Sequence, residues 1–209
     1  MREPSETAPM ALTATAAGTA VPGVPAGPVP TERTGRLARL LAVDERLLVA
    51  ARRLHGPWRT RVARALTRAG DTSSWTAVTL LLLAAGGEWR MLGFRLAAAT
   101  LLGTLLSQAL KRSLLRPRPT SAIHGFEALA ENPDRFSFPS GHTTAAFAAA
   151  VALAGAPHGV GIAAAALACG IAASRGYLGA HYPLDVAAGL VLGSLAGAAA
   201  RIGLAFAGA

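Results

Sequence analysis

The feature that most constrains this chain is how its apolar residues are distributed. Ala, Leu, Val and Gly come in long blocks parted by short charged stretches, not at amphipathic spacing. With 52% hydrophobic and only 15% charged residues, the balance is that of membrane helices rather than of a soluble domain. Five spans are expected, at about 73–88, 91–110, 143–156, 158–174 and 186–207. The fold class is therefore all-α: an integral-membrane helical bundle with about five transmembrane helices, preceded by amphipathic helices. A span of about 20 residues is usual, so the 143–156 block must borrow flanking residues or sit where the bilayer is thinned. Small residues crowd the last three spans, from Ala145 to Ala150 and at Gly189, Gly193 and Gly197, which permits close helix contact.

Three regions follow from composition. Residues 1–32 are rich in Ala, Pro, Thr and Gly, with prolines at 22, 25, 28 and 30, and read as a disordered tail. The start Met1-Arg2-Glu3-Pro4 is followed by no clean apolar core, which disfavours a signal peptide. Residues 33–70 scatter arginines among leucines and alanines, too many charges for a spanning helix. They read as two amphipathic helices broken near Gly56-Pro57, lying along the membrane surface or forming a solvated hairpin. Residues 71–209 form the membrane domain. The net charge of +9 comes without the aromatic interleaving of a nucleic-acid surface, so nucleic acid is excluded as a partner and the bilayer is taken as one. The single cysteine, Cys169, can form no intrachain disulfide.

Three polar clusters interrupt the apolar background, each at the end of an expected span. They are Lys111 to Pro119, Pro139 to His142, and Ser174 to Asp185. Two spans separate the second from the third and none separates the first from the second, so all three share one face of the membrane. Lys111 is the only lysine in a chain otherwise biased to arginine. Arg118 and Arg175 offer planar forks that grip two phosphate oxygens, and Lys111 adds a point charge. Arg112 and Arg116 are read as ordinary flanking charges of a membrane helix. Ser140 and Gly141 open a helix whose free N–H groups favour an anion, although Ser140 can also serve simply as a cap. Asp185 lies four residues after His181, so a carboxylate there can hold one imidazole nitrogen and leave the other as nucleophile or base.

Together these clusters resemble the motifs of the type 2 phosphatidic acid phosphatase superfamily: KxxxxxxRP, PSGH and SRxxxxxHxxxD. Lys111, Arg118 and Pro119, then Pro139 to His142, then Ser174, Arg175, His181 and Asp185 match every specified position. The resemblance implies that His181 is the nucleophile, His142 the acid, and Asp185 the residue orienting His181. It also implies phosphate binding by Lys111, Arg118, Ser140, Gly141 and Arg175, a phosphohistidine intermediate, and neither metal nor other cofactor. A histidine–carboxylate zinc site is the chemical rival, opposed by the surrounding positive charge.

A phosphate pocket at the mouth of a helical bundle suits a lipid phosphate as substrate. Phosphatidic acid, phosphatidylglycerophosphate and polyprenyl mono- or diphosphates all satisfy it. The loop 120–138, with His124, Glu127, Asp134 and Arg135, is expected to discriminate among them, and these four also read as plain surface residues. The positive-inside rule would make the catalytic face cytoplasmic, whereas the resemblance implies an extracytoplasmic one, which is preferred here. A membrane anion transporter or a non-catalytic lipid-phosphate-binding protein is the alternative. A transporter would place charges in mid-span, where only Arg95 and Arg201 come close. The pattern says nothing about oligomeric state.

Overall fold

A computed structural model describes residues 35–130 and 134–206. All of them belong to one compact unit, Gly35–Ala209; the tail expected over 1–32 lies outside the described residues. Among the described residues the chain forms helices α1 (Arg36–Ala51), α2 (Pro57–Ala69), α3 (Thr72–Ala85), α4 (Gly87–Leu114), α5 (Pro119–Ala122), α6 (Gly141–Ala152), α7 (Val160–Tyr177) and α8 (Pro183–Phe206), with no β-strand. The all-α membrane bundle expected from the sequence is the fold observed.

Among the described residues, three helices are long and apolar enough to cross a membrane: α4, α8 and the run Pro157–Tyr177 that contains α7. At 1.5 Å per residue, the 28 residues of α4 reach about 42 Å. That helix extends four residues beyond the expected 110, because Lys111 and Arg112 in its last turn suit the negative end of the helix dipole. It stops where Leu115 turns left-handed (φ 49°) ahead of Pro117. Helix α3 ends earlier than expected, at Ala85, because Gly86 and Gly87 both take positive φ.

The short span is explained by its place in the fold. Helix α6 has only 12 residues, but α4, α7 and α8 all pack on it, and Thr143, Thr144, Ala146, Ala148, Ala149, Ala150 and Ala152 are buried. Its closest neighbour is α8. A side chain at Gly189, Gly193 or Gly197 would collide with the carbonyl oxygens of Ser140, Thr144 and Ala148 respectively, one contact per turn of each helix. The two backbones therefore touch along their length. This contact brings the start of α6 against the start of α8, where Ser140 N–H donates to the Asp185 carbonyl at 3.0 Å.

The two N-terminal helices pack on the same end of the bundle. Pro57 begins α2 at a first-turn position, where its missing N–H is harmless. Gly56 N–H donates to the Tyr177 hydroxyl (3.1 Å), and α2 lies along α7. Only Asp44 and Leu48 of α1 are buried, against α7 and α8; Leu37, Leu40, Val43 and Leu47 stay exposed. An amphipathic helix with that apolar face outward suits a lipid surface.

Candidate active site

The end of α4, the start of α6, the end of α7 and the loop before α8 meet around a cavity of about 170 Å³. That is room for several waters or for a phosphoryl group. Lys111, Arg118, Gly141, His142, Arg175 and His181 line it. The structure thus gathers six of the eight expected site residues. Ser140 and Asp185 stand behind the wall. Ser140 gives its N–H to Asp185, its hydroxyl accepts from Thr143 (3.0 Å), and it makes no side-chain cap to α6.

His181 is fully buried in the loop between α7 and α8. Its Nδ1 lies 2.8 Å from the Ser137 carbonyl, an acceptor only, so Nδ1 carries the proton and Nε2 keeps a lone pair. Asp185 was expected to hold this ring, but its carboxylate is farther away, at 3.6 Å. It is committed elsewhere, accepting from Arg116 (2.7 Å) and from Tyr182 N–H (2.9 Å). Burial, reinforced by Arg175, Arg118 and Lys111, holds the imidazole well below its ordinary range, so it is neutral at neutral pH. Nε2 faces Arg118 at 3.4 Å.

Several residues of the site carry no motif. Asp71, at the α2–α3 corner, lies 2.8 Å from His142 Nε2. Gly70 beside it has no room for a side chain against Ile171 and His142. Asp134 accepts from Lys111 and lies 3.9 Å from Arg118, whose Nε donates to the Asp134 carbonyl at 2.6 Å. Burial pushes this carboxyl up, but Lys111 and Arg118 outweigh it and hold it below the usual range. Arg175 donates to Thr67 of α2. Arg116 is no plain flanking charge: it bridges Asp44 of α1 (2.6 Å) and Asp185, and lies over the Tyr182 ring at 4.1 Å. Asp44 also accepts from Leu184 N–H at 2.8 Å.

A sequence signal existed for one group. Thr104, Ser107 and Gln108 recur at helical spacing before Lys111 in an otherwise apolar stretch, and all three line the cavity. An apolar groove between α3 and α4, lined by Trp75, Thr79, Leu80, Ala97 and Leu101 among others, shares Thr72, Thr104 and Ala145 with the cavity. Among the described residues, no three His, Cys, Asp or Glu side chains converge as a metal site would need.

The sequence profile of the PAP2 superfamily matches residues 92–206, more than half of the chain. This chain belongs to the PAP2 superfamily. Among the relatives of this PAP2 protein, an undecaprenyl-diphosphatase from Sulfolobus acidocaldarius is 32% identical over 130 residues. That match covers 62% of the chain and 63% of the relative, so the chain spans just under two thirds of that protein. A decaprenylphosphoryl-5-phosphoribose phosphatase from Mycobacterium tuberculosis is 32% identical over 170 residues, 78% of the chain and 88% of the relative. The crystal structure of a transmembrane PAP2-type phosphatidylglycerolphosphate phosphatase from Bacillus subtilis matches with a TM-score of 0.68 at 27% identity, covering 78% of this chain and 85% of that one. Aquifex aeolicus LpxE matches with a TM-score of 0.65 at 26% identity, covering 75% and 93%.

The Asp44–Arg116–Asp185 chain yields a test of how far α1 belongs to the site. Removing one partner of a buried ion pair typically costs about 3–5 kcal/mol, and Asp44 is almost wholly buried. Asp44→Ala is therefore expected to lower the unfolding temperature of the detergent-purified protein clearly, with Asp44→Asn closer to the parent. An unchanged unfolding temperature for Asp44→Ala would show that the tie contributes nothing.

Proposed function

We propose that this PAP2 protein hydrolyses the terminal phosphate of a membrane lipid through a phosphorylated His181. That it is an enzyme of the membrane lipid-phosphatase class follows from its family and its phosphatase relatives. The observation that carries the mechanism is the single cavity holding both imidazoles and three cations, with an apolar groove between α3 and α4 adjoining it. The groove suits an acyl or prenyl chain while the phosphate occupies the cavity. The polyprenyl substrates named for two relatives fit the same geometry.

In the proposed reaction, His181 Nε2 attacks phosphorus in line, and the leaving oxygen departs on the far side with a proton from His142. Asp71 takes one ring N–H of His142 and so leaves the other nitrogen, Nδ1, to exchange that proton. Water, deprotonated by His142, then breaks the phosphohistidine bond and releases inorganic phosphate. Lys111, Arg118, Arg175 and the first-turn N–H groups of α6 from Gly141 onward stabilise the charge on the equatorial oxygens. Substrate displaces Asp134 from Lys111. We place the catalytic end on the extracytoplasmic side; the α1–α2 arginines at that end are read as contacts to membrane or substrate phosphates rather than as a topology signal.

Phosphate release from purified lipid phosphates should fall more than about a thousandfold in His181→Ala and survive a strong chelator. Substantial turnover in that variant, or loss with chelator, would contradict the phosphohistidine route. His181 must be neutral to attack and loses its proton well below the ordinary imidazole value of about 6.5. The acid limb of kcat/KM is accordingly expected below pH 6.5, and a midpoint at or above that value would show an imidazole that is not buried and neutral. Asp71→Asn should slow a lipid monophosphate roughly 10- to 100-fold but p-nitrophenyl phosphate far less, since its leaving group needs no proton. Equal losses on both would remove Asp71 from the proton path. In a Cys169→Ser background, a cysteine placed at Glu88, at the opposite end of the bundle, should react with impermeant reagent only from the cytoplasmic side; reaction from outside would reverse the orientation.

A further inference from the structure

A second cavity, of about 620 Å³, lies behind His142. Arg64 and Arg68 of α2 and Asp71 help to wall it, and it shares Thr72, His142 and Arg175 with the catalytic cavity. Its charges are unbalanced toward the positive. The one carboxylate, Asp71, is engaged with His142 at 2.8 Å. Arg64 gives only its Nε to a carbonyl, that of Leu129, at 3.2 Å. Arg68 has no side-chain hydrogen bond or ion pair among the described residues.

In-line displacement fixes which part of a substrate reaches this place. The attacking nitrogen and the leaving oxygen stand on opposite sides of phosphorus. With His181 on one side, the leaving group emerges at His142 and runs on past Thr72. Two spaces open there: the apolar groove between α3 and α4, and this basic cavity. A leaving group that is only a hydrocarbon alcohol would fill the first and gain nothing from the second. One that bears its own anion just beyond the scissile bond would use both.

We propose that Arg68, assisted by Arg64, binds a second phosphate carried on the leaving group of the lipid substrate. The proposal rests on the phosphatase reading above and narrows its substrate to lipids with two phosphates. The shared chemistry is a phosphate held near the scissile one, either directly bonded, as in a lipid diphosphate, or spaced by a sugar. In the diphosphate case, the bond between the terminal phosphorus and the bridging oxygen breaks as the bond to His181 Nε2 forms. The electron pair stays on the bridging oxygen, and the second phosphate leaves as a lipid monophosphate against Arg68. Water then returns the terminal phosphoryl group as inorganic phosphate. Arginine suits the task because its fork meets two oxygens of one phosphate.

The test compares the full chain and its variants, purified in detergent, on farnesyl phosphate, farnesyl diphosphate and farnesylphosphoryl-ribose 5-phosphate. The wild-type protein should prefer at least one of the two-phosphate substrates. In Arg68→Ala the ratio of kcat/KM for that substrate over farnesyl phosphate should fall about tenfold to a hundredfold, the loss expected for a hydrogen bond to a charged group. Arg68→Lys should recover part of it, and Arg64→Ala should lower the ratio less. Whichever two-phosphate substrate shows the larger change identifies the spacing. An unchanged ratio, whether both activities fall together or neither does, overturns the proposal, as does a wild-type protein that prefers farnesyl phosphate. Turnover of none of the three would instead overturn the phosphatase reading on which it stands.

Discussion

Three cations held around one small buried cavity repel each other and lose their water, and the way the chain compensates them organises this end of the bundle. Lys111 and Arg118 converge on Asp134, Arg118 also donates to the Ala180 and Asp134 carbonyls, and Arg175 reaches Thr67. Each partner comes from a different element. Compensating the charges therefore also ties α2, α4, α7 and the loop before α6 to one another. It bears on the nucleophile as well, because burial, reinforced by the same positive field, keeps the His181 ring neutral.

The second ionic system lies behind the cavity and works through carboxylates. Asp44, Arg116 and Asp185 form a line from an amphipathic helix to the back of His181, and Asp185 also fixes the turn at Tyr182. The ring is positioned mostly by that turn and by the Ser137 carbonyl. Asp185 thus acts on His181 less as a direct hydrogen-bond partner than as the residue that holds the loop carrying it. The apolar face of α1 points away from this line, so one helix touches both the ionic scaffold and what lies outside the bundle.

How much of this was legible in the sequence depends on how narrowly chemistry restricts each residue. Phosphoryl transfer leaves little choice at Lys111, Arg118, His142, Arg175 and His181, and all five stood out from an apolar background. The bundle was legible too, since long apolar blocks admit few other folds. Helix ends were displaced where local signals competed with hydropathy, as at Gly86-Gly87 and at Lys111-Arg112. The supporting residues were hidden for a physical reason. Asp44 and Asp71 pair with partners about seventy residues away, inside segments where acids and arginines look like an ordinary wet surface. Arg116 looked like a flanking charge for the same reason. The Ser137 carbonyl has no side-chain trace at all.

The glycine stripe of α8 has an evolutionary consequence. Because α6 and α8 meet backbone to backbone, the gap between the two imidazoles is set by main-chain geometry and cannot be tuned by exchanging one core side chain for another. The histidines behave as jaws of fixed span. Descendants of such a scaffold can change what they cleave only by altering parts outside this backbone contact, such as the side chains of the α2–α3 corner and of the groove beside α3. A family built this way should keep its chemistry constant while its substrates diverge.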